Sequence, residues 1–143
     1  MSLRHLIVAG RFNEMISKSL VDAALAVFKE QGLGELVDLV WVPGAYEIPV
    51  TAAKAARTKR YASIVCLGAV IRGDTPHFEY VAGPCASGLM SISIETGIPT
   101  IFGVLTTNTV EQALNRAGLK LGNKGAEAAM TAITMVKTLK QFD

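Results

Sequence analysis

The residues best suited to chemistry lie in one short stretch, residues 68–79, whose sequence is GAVIRGDTPHFE. Thr75 is a suitable N-cap and Pro76 suits the first position of a helix, which places His77 in a helical first turn. Backbone N–H groups at a helix start bind anions, and the helix dipole there favours a neutral imidazole that can accept a proton. The stretch therefore indicates proton transfer beside an anion, although an ordinary helix start with a surface histidine has the same pattern.

This stretch lies between a predicted strand and a predicted helix. Residues 63–67 (SIVCL) are apolar and rich in β-branched side chains, which is typical of a strand buried on both faces. Downstream, apolar residues recur at helical spacing until Gly97 ends the pattern: Phe78, Val81, Ala82, Cys85, Ala86, Leu89 and Ile92. The sequence thus places residues 68–77 in a loop at the carboxyl end of a strand.

Strands and helices alternate along the rest of the chain. Further strands are predicted at residues 5–9, 36–42 and 100–105. Asn13 can cap the first helix, the second helix covers about residues 48–57, and Thr109 with Gln112 forms a capping box for a short helix. Residues 122–125 (GNKG) begin the last helix, whose inward side chains are predicted to be Ala129, Met130, Ile133, Val136 and Leu139.

This alternation predicts an α/β fold in one domain, residues 1–143. We expect a three-layer αβα sandwich with a four-stranded parallel sheet, doubly wound and flavodoxin-like. Ligands of such sheets bind beyond the carboxyl ends of the strands. The unusual loops are all expected there: residues 11–13 (RFN), 44–47 (GAYE), 72–77 (RGDTPH) and 106–108 (TTN). Their convergence is stronger evidence for a site than any one loop.

Several side chains in or near these loops have two interpretations each. Phe12 could stack on a flat heterocycle or pack as a hydrophobic staple on the helix that follows it. Glu47 could accept hydrogen bonds from ligand hydroxyls or complement a helix dipole. Arg116 and Lys124 could bind a phosphate, although a cation in the last turn of a helix and a solvated lysine are both common.

Composition restricts the class of protein. The chain has 143 residues, enough for a core, and a net charge of +2 without a block of like charge, which argues against nucleic-acid or membrane-surface binding. Half of the residues are apolar (50%), a high share for a small monomer, so we expect copies of the chain to associate. Cys66 and Cys85 are predicted to be buried free thiols.

The sequence contains no zinc-ligand spacing of Cys or His, so no metal is expected. It contains no signal peptide and no apolar stretch of membrane-spanning length, so the expected location is cytoplasmic. A phosphoacceptor receiver needs acidic residues after its first strand and a flavodoxin needs hydroxyl residues, but this chain has Gly10-Arg11-Phe12. The motifs G-x-S-x-G, G-x-G-x-x-G and a P-loop are also missing.

Five motifs together resemble the 6,7-dimethyl-8-ribityllumazine synthase family, in order and in spacing, over nearly the whole chain. They are residues 11–13 (RFN), 42–49 (VPGAYEIP), 68–78 (GAVIRGDTPHF), 102–106 (FGVLT) and 116–125 (RAGLKLGNKG). The resemblance implies a transferase of riboflavin biosynthesis without metal or organic cofactor. It would condense 5-amino-6-(D-ribitylamino)uracil with 3,4-dihydroxy-2-butanone 4-phosphate to 6,7-dimethyl-8-ribityllumazine, releasing phosphate and water.

The resemblance also implies roles for single residues. Those expected to contact the ribitylaminouracil are Phe12, Ala45, Tyr46, Glu47, Ala69, Val70, Ile71 and Phe102. Phe12 would stack on the pyrimidine, Glu47 would hold the ribityl chain, and Phe102 would close the pocket from a neighbouring subunit. Asp74 and Thr75 would meet the butanone phosphate together with Arg116, and Lys124 stays a further candidate for the same anion. His77 would transfer protons.

Members of the family form pentamers, some of which pair or assemble into icosahedral shells, so the resemblance implies a homo-oligomer. The short connection at residues 118–125 resembles that of the shell-forming members, and riboflavin synthase is a candidate partner. Two other functions stay open. One is a homologue that binds lumazine or flavin without catalysis, and the other is an enzyme of phosphorylated sugars that would need neither Phe12 nor the Glu47 loop.

Overall fold

Four strands form a single sheet in the computed structural model, which describes residues 3–143. They are β1 (Arg4–Gly10), β2 (Val37–Val42), β3 (Tyr61–Ile71) and β4 (Thr100–Thr107). All neighbouring strands are parallel, and their order is β2-β1-β3-β4. The long central strand β3 is buried along almost its whole length, as expected of a strand covered on both faces. The predicted four-stranded parallel sheet is confirmed.

Helices cover both faces of this sheet. They are α1 (Glu14–Glu30), α2 (Ile48–Arg57), α3 (His77–Thr96), α4 (Val110–Arg116) and α5 (Lys124–Leu139). Helices α2 and α3 pack on one face, and α1 and α5 pack on the other, which α4 also contacts. This is the predicted three-layer αβα sandwich. Every helix within residues 3–143 is too short or too polar to cross a membrane.

The core consists of two apolar clusters, one on each side of the sheet. Alternate side chains of a strand point to opposite faces, so Leu6 and Val8 of β1 join the α2–α3 cluster, whereas Ile7 and Ala9 join the α1–α5 cluster. Strand β3 divides in the same way. The period-2 pattern of the strands therefore determines which residues of the sheet each pair of helices covers.

Both cysteines lie in the α2–α3 cluster and are buried free thiols, as predicted. Burial raises the pKa of the Cys85 thiol to about 11 and also raises the pKa of Cys66. Both side chains are therefore neutral near pH 7, and a neutral thiol is a poor nucleophile.

Helices α1 and α5 approach each other very closely. A Cβ atom added to Gly125 would collide with the backbone carbonyl of Leu20, so only glycine fits at this crossing. The buried face of α5 is accordingly built from small residues, chiefly Ala128, Ala129 and Ala132. The prediction that Met130 points inward is wrong, because this longer side chain lies on the outer face and is 42% exposed.

Three boundaries near the expected site also differ from the sequence predictions. Asn13 has left-handed backbone angles (φ 60°) and its side chain makes no capping hydrogen bond within the described chain. Residues 68–71 are not loop but the end of β3, because they continue the pairing with β4 from Gly68–Val104 to Ile71–Thr107. Helix α3 begins at His77 with Pro76 at the N-cap, one residue later than predicted.

Candidate active site

A cavity of about 630 Å³ lies at the carboxyl end of the sheet, between the ends of β1, β2 and β3 and the start of α3. We call it the His77 cavity. Nine of the residues singled out from the sequence line it: Phe12, Ala45, Tyr46, Glu47, Ala69, Val70, Ile71, Thr75 and His77. Three loops that are far apart in the sequence therefore meet at one place, as expected for a doubly wound sheet.

A second cavity, of about 640 Å³, runs along the edge strand β4 and the start of α5. We call it the Arg116 cavity. Phe102, Arg116 and Lys124 line it, and none of them lines the His77 cavity. Asp74 is exposed and lines neither of the two cavities. Apart from Asp74, the site residues predicted from the sequence thus fall into two groups within one chain.

Backbone pairing holds Phe12 at the rim of the His77 cavity. The N–H of Arg11 donates to the carbonyl of Val42 at 2.8 Å, and the N–H of Phe12 donates to the carbonyl of Pro43 at 3.1 Å, which extends the pairing of β1 with β2. The Phe12 side chain is 67% exposed, so it is not a staple buried against α1. An exposed ring at a cavity rim can stack on a planar ligand.

Glycines bring the Glu47 loop against the end of β1. A Cβ on Gly10 would lie only 3.2 Å from the carbonyl carbon of Gly44, which side chains rarely tolerate. A Cβ on Gly44 would lie 3.5 Å from Oε1 of Glu47 and 3.9 Å from Cβ of Phe12. The Glu47 carboxylate and Cβ of Phe12 therefore both lie next to Gly44, which like them is part of the cavity wall.

The Glu47 carboxylate has no hydrogen-bond or ion-pair partner among residues 3–143. Glu47 is at the N-cap position of α2 but its side chain makes no capping hydrogen bond, and it forms none of the ion pairs found in residues 3–143. The side chain is half-buried beside the cavity. Its oxygens are thus available to accept hydrogen bonds from a ligand. Its position at the N-cap of α2 also agrees with the other interpretation, a carboxylate that complements the helix dipole.

The end of β3 gives the cavity a polar backbone edge. Pairing of β3 with β1 stops at Leu67, whereas pairing with β4 continues to Ile71. On the side that β1 has left, the register gives residues 69–71 no strand partner within residues 3–143. A planar ring with donors and acceptors along its edge could bind there as a further strand would.

His77 is exposed at the first position of α3 and is one of the residues that line the cavity. Its backbone N–H donates to Oγ1 of Thr75 at 3.4 Å, a long hydrogen bond. The next turn of α3 adds Tyr80 and Val81 to the cavity wall, together with Phe78. Sequence reasoning missed Tyr80 as a site residue, although its spacing of three from His77 places both on one helix face.

A cavity where parallel strands end, combining apolar walls with a few polar groups, is the usual small-molecule site of doubly wound α/β enzymes, and this chain is of that class. The family model for 6,7-dimethyl-8-ribityllumazine synthase matches residues 2–140, and the chain belongs to this family. The resemblance inferred from the sequence is confirmed. The family defines a transferase of riboflavin biosynthesis, and lumazine synthase activity is the function that it supports.

Proposed function

We propose that the His77 cavity of one chain and the Arg116 cavity of a neighbouring copy together form the active site. In it, 5-amino-6-(D-ribitylamino)uracil condenses with 3,4-dihydroxy-2-butanone 4-phosphate. The observation that carries this proposal is that residues matching the family's motifs line two different cavities of one chain. Contact between copies would add Phe102 and two cations to the wall that holds Phe12, Glu47 and His77.

The uracil substrate occupies the His77 cavity in this proposal. Phe12 stacks on the pyrimidine ring, and the open backbone edge of residues 69–71 pairs with its polar atoms. The free Glu47 carboxylate accepts hydrogen bonds from the ribityl hydroxyls, next to Ala45 and Tyr46 in the same turn. A ligand that covered the Glu47 carboxylate without donating hydrogen bonds to it would bind at a cost in free energy. The site therefore favours ligands that carry a polyol chain.

The phosphate of the second substrate lies where the two copies meet. Backbone groups of Asp74 and Thr75 approach it at the start of α3, while Arg116 and Lys124 supply positive charge. A hydrogen bond from Nη1 of Arg116 to the carbonyl of Gln112, at 2.9 Å, holds the guanidinium in place. Lys124 is exposed and pairs with Glu127 at 3.2 Å, so it can exchange partners at small cost.

His77 transfers protons in each chemical step. The 5-amino group attacks the ketone carbon to give an imine and water. Removal of the proton from the hydroxyl-bearing carbon next to the imine then expels phosphate from the terminal carbon, and the enol that results tautomerises to a ketone. The ribitylamino nitrogen closes the ring on this ketone and releases a second water. These steps move protons onto or off nitrogen, oxygen and carbon, which an imidazole beside the substrates can do. Because the amine and ketone are already reactive, holding them in contact supplies much of the acceleration.

Exposed apolar side chains support the proposed assembly into a pentamer or a group of pentamers. In the single chain, the large apolar residues that are more than half exposed include Met90 (63%), Ile94 (73%), Leu119 (68%) and Leu121 (56%). Covering such residues is a common driving force for subunit association. We further propose that the assembly acts in the cytoplasm and that riboflavin synthase, which consumes the product class, is a partner.

The deciding experiment mixes both substrates with the protein and follows lumazine fluorescence together with free phosphate. A lumazine synthase gives both products in equal amounts. A non-catalytic homologue would bind the uracil or the lumazine in a titration but release no phosphate above the rate without protein. An enzyme of phosphorylated sugars would release phosphate from the ketone without any dependence on the uracil.

A further inference from the structure

Arg72, the first residue after β3, contacts two separate parts of the chain, the end of β4 and the start of α3. Its backbone N–H donates to the carbonyl of Thr107 at 2.8 Å, which continues the β3–β4 pairing. Its Nε donates to Oδ1 of Asn108 at 3.0 Å, and Nη1 pairs with Oε1 of Glu79 at 2.6 Å. The guanidinium carbon lies 4.4 Å from the ring centre of Phe78, a cation–π contact.

These contacts join the first turn of α3 to the end of the sheet. Phe78 and Glu79 directly follow His77, so Arg72 holds the two residues next to the imidazole. The covalent connection is much less restrained, because residues 73–76 are all exposed. The side-chain hydrogen bond found in that loop is the 3.4 Å contact between Thr75 and the His77 N–H.

We propose that Arg72 is a positioning residue, which fixes the first turn of α3 and thereby the orientation of the His77 imidazole over the cavity. Arg72 is not among the residues of the described chain that line the His77 cavity, so it acts through its neighbours. This inference rests on the proposed proton-transfer role of His77. A displacement of about 1 Å at a reacting group can cost up to ~100-fold in rate, so holding this turn matters for turnover.

The geometry requires an arginine. A planar guanidinium can donate to Asn108 and Glu79 from its edge while its face covers Phe78, whereas an ammonium group is a point charge that cannot satisfy all three. The Arg72 side chain is 44% exposed and the Glu79 side chain is 54% exposed, so their ion pair contributes little to the stability of the fold. The effect should therefore appear in turnover more than in unfolding.

The experiment compares Arg72→Ala and Arg72→Lys with the unmodified enzyme in steady-state kinetics. We expect both variants to lose roughly 10-fold in kcat with KM values for both substrates changed less than about 3-fold. Lys18→Ala, which removes an exposed ion pair with Asp22 on α1, is the matched control and should leave kcat unchanged. Full activity of Arg72→Lys would overturn the proposal, because charge alone would then suffice.

A double-mutant cycle with His77→Ala tests whether Arg72 acts through the imidazole. In the His77→Ala background, Arg72→Ala should cost less than about 2-fold, because the group that it orients is already missing. The same 10-fold loss in both backgrounds would overturn the proposal, since Arg72 would then act on the substrates directly. Unchanged kcat in Arg72→Ala overturns it too, whereas unchanged kcat in His77→Ala overturns the role of His77 itself.

Should Arg72→Ala fail to assemble, Asn108→Ala and Glu79→Ala each remove one partner of the guanidinium and keep the arginine. Each should lower kcat by roughly 3-fold, with the loss again suppressed in the His77→Ala background. Wild-type kcat in both of these variants would overturn the proposal.

Discussion

His77 and Arg116 line two different cavities of the same chain. His77 stands at the start of α3, beside the end of β3, whereas Arg116 stands in the last turn of α4, beside the edge strand β4. In the proposed reaction His77 transfers protons and Arg116 binds the phosphate, so both must approach one small substrate. A site within a single chain would leave them apart, so their separation is a physical argument for a site shared between copies.

A shared site should permit complementation between two defective variants. We expect His77→Ala and Arg116→Ala, when assembled together, to be more active than either variant alone, because about a quarter of the contacts in a random assembly combine an intact His77 with an intact Arg116. Co-expressed, co-purified variants are assayed by lumazine fluorescence. The control is a mixture of the separately purified variants whose assemblies have not been dissociated. Co-purified assemblies that are no more active than either variant alone would contradict a shared site.

The two single variants should differ in which kinetic constant changes. His77→Ala should lower kcat by about 100-fold and still exceed the rate without protein, because substrate positioning remains. Steady-state kinetics measure this kcat, and calorimetry checks that the variant still binds the uracil substrate. A completely inactive His77→Ala enzyme that folds and binds both substrates would contradict the view that positioning supplies much of the rate.

Arg116→Ala should instead weaken binding of the phosphorylated ketone. Loss of a charge-assisted pair to phosphate costs about 1.5–3 kcal/mol, which corresponds to a KM for that substrate raised by roughly 10- to 100-fold. The KM for the uracil should change little. Lys137→Ala, which removes a cation from the last turn of α5, is the control for a general loss of charge. Equal changes in both KM values would argue against a specific phosphate contact.

Much of the fold followed from periodicity. Helix α2 has the expected bounds, Ile48–Arg57, because its Ala-rich pattern and flanking turn are local signals. The end of β3 was not predictable in the same way, since Gly68 and Ala69 look like loop residues and are strand only through pairing with β4. Met130 was misplaced because the closeness of α1 to α5 is a tertiary property that the helical pattern of α5 does not contain.

The candidate site shows the same limit. Loops at the carboxyl ends of parallel strands meet by the rules of the fold, so Phe12, Glu47 and His77 could be brought together from the sequence. The contact of Arg72 with Asn108 could not, because it spans 36 residues and depends on the exact ends of two strands. The strand and loop patterns of the sequence thus predict where the candidate site lies. Pairing between distant strands determines which side chains, such as Arg72 and Asn108, contact each other beside it.

Ser17 carries a buried hydroxyl that should destabilise the fold. Ser17 is 0% exposed and its Oγ has no hydrogen-bond partner within residues 3–143, whereas the exposed Ser19 on the same helix donates to the carbonyl of Met15 at 3.2 Å. Both Ser→Ala changes gain helix propensity, but only Ser17→Ala removes an unpaired buried group. We expect Ser17→Ala to raise the free energy of unfolding by about 1 kcal/mol more than Ser19→Ala.

Denaturant unfolding at a fixed protein concentration measures the difference between these two variants. A loss of stability in Ser17→Ala, with Ser19→Ala unchanged or improved, would contradict the expectation. It would mean that the Ser17 hydroxyl has a partner, such as a buried water molecule.

The stability of the fold should also depend on pH through His5. This side chain is 5% exposed, its Nδ1 lies 2.8 Å from Oγ of Ser63, and its ring centre lies 5.1 Å from that of Phe28. Burial lowers the pKa of His5 below its ordinary value of 6.5, so the folded chain binds this proton less readily than the unfolded chain.

The unfolded chain therefore takes up more protons than the folded chain as the pH falls below about 6.5. The contribution of neutral His5 to the free energy of unfolding is complete above that pH and is lost progressively as the pH falls towards the folded-state pKa. His5→Gln removes the titration and keeps a side chain that can hydrogen-bond to Ser63. Its denaturation midpoint should thus fall less than that of the unmodified protein between about pH 7.5 and pH 5.5. If both denaturation midpoints fell equally, protonation of His5 would not contribute to the loss of stability at low pH, and other groups would have to cause it.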